Sequence, residues 1–204
     1  MYIIYTLIYI YIYIYFFFLN TERTRALIIF LNIVIHIIVH INLKVCPTFF
    51  FFFFFLLISS VLYNHIQLSS NLMSGCDYSL FKDGIEPMWE DERNKRGGRW
   101  LITLSKQQRR ADLDRFWLET LLCLVGEAFD DHSDDVCGAV VNIRTKGDKI
   151  AIWTTDFENK DAIVHIGHVY KVRLGVPSKV IIGYQSHADT ATKSGSTTKN
   201  KFVV

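Results

Sequence analysis

What this chain has little of narrows its chemistry before any motif is considered. Its four cysteines, Cys46, Cys76, Cys123 and Cys137, show neither CxxC spacing nor histidine partners. They therefore do not outline a disulfide framework or a zinc ribbon. They read as free, buried thiols, which favours a reducing compartment. There is no glycine-rich phosphate loop and no nucleophile set beside a base, so no enzyme is expected. Asp130–Asp135 lacks the glycine and the terminal glutamate of a calcium loop and reads as a solvated loop. His165 and His168, three residues apart, have no evident third ligand. Neither a metal nor a cofactor is expected.

Charge is distributed very unevenly. The formal net charge is only +2, but residues 1–60 carry almost none, apart from Thr21–Arg25 and Lys44. That segment holds three apolar runs, Met1–Leu19, Ala26–Ile41 and Phe49–Ile58. The first has about the 20 residues needed to cross a bilayer, yet it lacks the basic start and small-residue cleavage site of a signal peptide. The alternation Tyr9-Ile10-Tyr11-Ile12-Tyr13-Ile14-Tyr15 is what a TA repeat encodes, and Phe49–Phe55 is what a run of T encodes. A T-rich tract before an exon resembles a splice acceptor. The expectation is that residues 1–60 are low-complexity translated intron, with a membrane-like anchor as the alternative.

Residues 61–204 read as a folded α+β domain. Trp100–Leu104, Ala139–Arg144, Lys149–Thr154 and Val180–Gln185 are strand candidates, the middle two joined by a hairpin turn with Gly147. One helix is expected from an N-cap at Asp112 to about Ala128, with Leu113, Phe116, Trp117, Leu121 and Leu124 on its apolar face. A second is expected from Asn159, with Ala162, Ile163, Ile166, Val169 and Tyr170, ended by Gly175 and Pro177. The pattern implies an antiparallel sheet covered by helices on one face. Alternation leaves Arg144, Lys149 and Trp153 together on the other face, with Arg99 in the matching register of the neighbouring strand. Cations beside a flat indole suit a nucleotide or a single-stranded nucleic acid.

The segment Pro87-Met88-Trp89-Glu90-Asp91-Glu92 sharpens that reading. A tryptophan can stack on a base while the adjacent carboxylate accepts from its edge, and guanine offers N1–H and the N2 amine. A base methylated at N7 is positively charged and adds a cation–π attraction.

These residues sit within a longer resemblance. Tyr63-Asn64-His65-Ile66-Gln67, Cys76–Trp89, Arg96-Gly97-Gly98-Arg99-Trp100, Asp114–Leu122 and Ser186–Ser196 together resemble the translation initiation factor 4E family, nearly continuously from Val61 to Val204. The resemblance implies a curved antiparallel sheet backed by helices on its convex face. It also implies a non-enzymatic role in protein biosynthesis: RNA-binding at the 7-methylguanosine mRNA cap and recruitment of the scaffold factor 4G, in the cytoplasm and also the nucleus. By the same resemblance Trp89 would stack on the cap base, Glu90 would read its edge and Trp153 would contact the methyl group. Arg99, Arg144, Lys149 and Lys193 would hold the triphosphate. Leu118, Glu119 and Leu122 would bind the scaffold factor 4G and the 4E-binding proteins, and Ser196 would be a phosphorylation site.

The chain also departs from the family pattern. Before Val61 the family places two strands, a second cap-stacking tryptophan and the first turn of a helix, all missing here. The tryptophans that remain are Trp89, Trp100, Trp117 and Trp153. Stacking is worth about 1–3 kcal/mol per base, so one lost face implies cap binding weaker by roughly tenfold to a hundredfold. Two alternatives follow: a defective product of a mis-spliced or wrongly delimited gene, and a membrane-anchored variant.

Overall fold

In a computed structural model of the chain, residues 63–192 and 200–204 are described. All belong to one unit spanning Ser60–Val204. Six strands form a single curved sheet: β1 Asp77–Phe81, β2 Gly98–Leu104, β3 Val136–Asn142, β4 Asp148–Thr154, β5 Gly183–Ser186 and β6 Phe202–Val203. They lie in the order β1-β3-β4-β2-β5-β6, and every pairing is antiparallel. Among the described residues the α-helices of six or more residues are α1 Asp114–Val125, α2 Lys160–Arg173 and the short α3 His187–Thr192. The expected α+β class and helix-backed curved antiparallel sheet are what the structure has.

The apolar periodicities explain which faces meet. From the strands, Trp100, Ile102, Leu104, Ala139, Val141, Ile150 and Ile152 point to one side. From α1 come Phe116, Trp117 and Cys123, and from α2 Ala162, Ile163, Ile166 and Tyr170. Together they form one buried cluster. Several polar groups inside it are paired, as burial favours, although the Trp117 indole N–H is enclosed without a partner. The indole N–H of Trp100 donates to the Ile163 carbonyl at 2.9 Å. The Thr120 and Tyr170 hydroxyls, 2.8 Å apart, join α1 to α2. Burial pushes the Tyr170 phenol well above its ordinary pKa.

Several boundaries differ from those expected, for physical reasons. The helical stretch that leads into α1 is capped at Ser105, not Asp112. Ser105 forms a reciprocal capping box with Gln108, and a π-helical turn, Arg109–Leu113, then leads into α1. The Asp112 cap is therefore corrected, and α1 ends at Val125 rather than Ala128. The strand read as Ala139–Arg144 runs instead over Val136–Asn142, with a bulge between Val136 and Gly138. The one read as Val180–Gln185 is shorter, Gly183–Ser186. β1 and β6 were not foreseen. β1 starts with an aspartate, a residue depleted in strands, and ends with Leu-Phe, which breaks the alternation. The hairpin turn and the end of α2 are as expected: Gly147 has φ +142° and Gly175 φ +65°, the latter in the left-handed region that ends helices. Asn159 caps α2, accepting from the Ala162 N–H at 3.4 Å.

Candidate functional site

The face of the sheet opposite the helices carries a second, smaller apolar cluster: Cys137, Val140, Ala151 and Trp153, with Phe81, Ile85 and Leu101 against it. Register places Arg99 directly opposite Trp153. On the same face Asn142 is opposite Lys149 and Asp77 is opposite Asn142. The alternation reading thus put Arg99, Lys149 and Trp153 on their true surface. Lys149 is exposed and Arg99 is half-buried. The Arg99 Nε is enclosed and has no hydrogen-bond partner, and burial lowers its pKa from the ordinary guanidinium value.

The expectation of Trp153 as an open stacking plate needs correction. It is 8% exposed. The Phe81 ring meets it edge-on at 5.4 Å, and the His187 ring lies 4.2 Å away, tilted by 47°. Trp153 therefore forms part of the floor, with an enclosed indole N–H that has no partner. His187, at the start of α3, is buried. Burial, and then the Arg99 charge, push its pKa down to about 4, so it is a neutral imidazole at physiological pH. The open aromatic is Trp89, which is 49% exposed.

Trp89 and Glu90 lie in the loop between β1 and β2, and side-chain-to-backbone bonds shape that loop. Asn94, fully buried, donates to the carbonyls of Glu86 at 2.9 Å and Met88 at 2.8 Å. The Asp91 carboxylate accepts from the N–H groups of Glu86 and Arg93; these bonds hold its pKa below the usual carboxylate range. The loop is tied to the Trp153 face at several points. Ile85 packs on the small cluster, Cys137 Sγ donates to the Arg93 carbonyl at 3.6 Å, and the His187 N–H donates to the Gly97 carbonyl at 3.1 Å. An exposed tryptophan and carboxylate are thus held on a constrained loop that is anchored at Ile85, Arg93 and Gly97 beside the face carrying the cations.

Arg144 falls just beyond the end of β3. Its Nη1 and Nη2 donate to the Asp77 carboxylate at 2.6 and 3.0 Å. The pairing raises the Arg144 pKa and lowers that of Asp77. Its backbone is fixed as well: the N–H donates to Asp148 Oδ1 at 3.0 Å and the carbonyl accepts from Arg109 Nη2 at 2.9 Å. Asp148 is fully buried and is clasped by Arg109 through two 2.6 Å bonds. Asp77, His187, Arg109 and Asp148 were given no role from sequence. Asp77 sits where a strand was not recognised, and the others gain meaning only from partners far away in the chain.

On α1, Leu118 and Glu119 are half-buried and Leu122 is 51% exposed. They share the side turned away from Phe116, Trp117, Thr120 and Cys123. Lys193 and Ser196 lie outside the described residues, as does the segment 1–60. Among the described residues no group of three or more metal-ligating side chains could hold an ion. No helix there is long and apolar enough to cross a membrane. His165 faces Asp130 at 3.3 Å, and its ring is tilted by 51° against that of His132, with centroids 5.0 Å apart.

A curved antiparallel sheet with helices behind it, cations on its other face and an exposed tryptophan in an adjoining loop define an α+β protein with a candidate ligand-binding face. Comparison with known proteins makes this specific. The profile of the family described as eukaryotic initiation factor 4E matches residues 60–202, and the chain belongs to that family. It is 97% identical over 143 residues to eukaryotic translation initiation factor 4E-1A of Danio rerio, covering 70% of this chain and 66% of that protein. It is 85% identical over the same length to eukaryotic translation initiation factor 4E of Homo sapiens, again 70% and 66%. The chain thus spans about two thirds of the length of the curated relatives it matches. Among solved structures it resembles Ascaris suum eIF4E-3 in complex with the m7G cap, with TM-score 0.67 and 46% identity over 72% of this chain and 78% of that one. It also resembles C. elegans eIF4E-3 in complex with the 4E-binding protein Mextli, with TM-score 0.67 and 45% identity over 72% and 80%. These findings favour neither the defective-product nor the membrane-anchored alternative.

Proposed function

We propose that this chain binds the 7-methylguanosine cap of mRNA and recruits the scaffold factor 4G in translation initiation, acting by binding and not by catalysis, in the cytoplasm. What supports the reading is that Trp89 and Glu90 are exposed on a loop fixed by Asn94, and that this loop packs through Ile85 on the cluster holding Trp153, beside Arg99 and Lys149. Trp89 stacks on the methylated base, and its indole gains from the positive charge. Glu90 accepts from the guanine N1–H and N2 amine. Trp153, nearly flush with the floor, meets the methyl group. Arg99, Arg144 and Lys149, with Lys193 from the C-terminal segment, hold the triphosphate. The cap-bound Ascaris suum relative supports this reading.

Leu118, Glu119 and Leu122 form the docking strip on α1 for the scaffold factor 4G and the 4E-binding proteins, and Ser196 is the phosphorylation site. Leu122 is half exposed on a helix whose opposite side is core, a surface that an amphipathic partner helix fits. The relative solved with Mextli supports it. The test is passage of the full chain over immobilised 7-methylguanosine triphosphate, eluted with free cap analogue, beside Trp89→Ala. Retention that is lost in the variant supports the assignment; soluble chain that is not retained refutes it.

A further inference from the structure

The donor count at Arg144 points to a role for Asp77. A guanidinium has five N–H groups, arranged as an end edge, Nη1 with Nη2, and a side edge, Nε with Nη2. At Arg144 the end edge is forked onto Asp77. The remaining Nη1 hydrogen is taken by the Ile143 carbonyl at 2.9 Å, with the Cys76 carbonyl at 3.4 Å as a weaker partner. The Nε hydrogen and one Nη2 hydrogen are left, and they lie together on the side edge. Arg144 therefore presents a second two-donor fork, of the geometry that grips a phosphate. Its backbone is immobilised by Asp148 and Arg109, and the Asp77 and Arg144 side chains remain 40% and 42% exposed. A ligand can reach the pair.

We propose that Asp77 is a positioning residue for the phosphate site: its carboxylate locks the end edge of Arg144 so that the side edge is offered to the ligand's phosphates. This rests on the reading of Arg144 as a phosphate-binding residue. A free arginine side chain would lose rotamer freedom each time a phosphate bound; here Asp77 has already removed it. The rival possibility, that the carboxylate competes with phosphate for Arg144, predicts the opposite response to its removal.

Binding of the full chain to 7-methylguanosine triphosphate, 7-methylguanosine monophosphate and inorganic tripolyphosphate, followed by tryptophan fluorescence or calorimetry, separates these. Asp77→Ala is expected to weaken the triphosphate and tripolyphosphate about tenfold, ~1.4 kcal/mol, and the monophosphate by less than about twofold, which also reports an intact fold. Asp77→Asn, which keeps one acceptor, is expected to lose in the same direction but less. Asp77→Ala in an Arg144→Ala background is expected to change nothing further. Unchanged or tighter triphosphate binding in either variant, an equal loss for all three ligands, or a further loss in the Arg144→Ala background overturns the proposal. Tripolyphosphate carries no base, so a chain that binds it without preferring the methylated nucleotide refutes cap recognition while the Asp77 comparison is still read. A chain that binds none of the three has no such phosphate site, and the proposal fails with it.

Discussion

Replacing Arg109 by methionine isolates the cost of the buried carboxylate on which the Arg144 turn is built. Asp148 is 0% exposed, and both its oxygens accept 2.6 Å bonds from Arg109, whose side chain is 22% exposed. Methionine retains much of the packing of the stem but leaves the carboxylate with only the Arg144 N–H. Removing one partner of a buried ion pair costs about 3–5 kcal/mol, because the other charge stays desolvated. The surviving bond and the partial exposure of Arg109 place this case near the lower end, at ~3 kcal/mol. That is roughly a 150-fold fall in the folding equilibrium constant. In a domain of this size it also lowers the melting temperature by roughly 6–12 °C. Urea denaturation followed by tryptophan fluorescence measures the loss. The companion double variant, Arg109→Met with Asp148→Asn, keeps an acceptor for the Arg144 N–H without the charge and is expected to recover at least about half of it. A single variant that loses less than ~1 kcal/mol, or a double variant no more stable than the single, would falsify the argument that an uncompensated charge is the cause.

Two further outcomes test the core and the floor of the site. A Cβ built on Gly167 of α2 would overlap the indole of Trp100, which is fully buried and hydrogen-bonded to the same helix. Gly167→Ala is therefore expected to destabilise by about 1–3 kcal/mol in thermal or chemical melts, and an unchanged melt would mean that the helix–sheet contact is looser than described. His187 titrates near 6.5 when exposed and at about 4 in the fold, so between those values the unfolded chain binds more protons. Stability is then fully present above pH ~6.5 and is lost as pH falls towards 4, by up to ~3 kcal/mol for about 2.5 pH units. Urea titrations across that window should show this slope in the native chain and a flatter one in His187→Gln; equal slopes would show that His187 is not the titrating group.

Sequence by itself determined the periodic parts of this protein. Period-two alternation in β3 and β4 separated Ile150 and Ile152 from Lys149 and Trp153, and the structure keeps them on opposite faces. Period-3.6 spacing placed Phe116, Trp117, Ile163 and Tyr170 in the core, and Asn159 and Gly175 bound α2 as local chemistry requires. Trp89 and Glu90 lie exposed in a loop, as their sequence context implies. Tertiary structure alone decided how open each aromatic is. Trp153 is buried because Phe81 and His187, from distant segments, close around it. It also decided the aim of Arg144, which depends on an aspartate 67 residues earlier and on a buried carboxylate whose own partner lies 39 residues before it. Periodicity reports which face a side chain leaves from. What meets it there depends on chain segments that are neighbours only after folding.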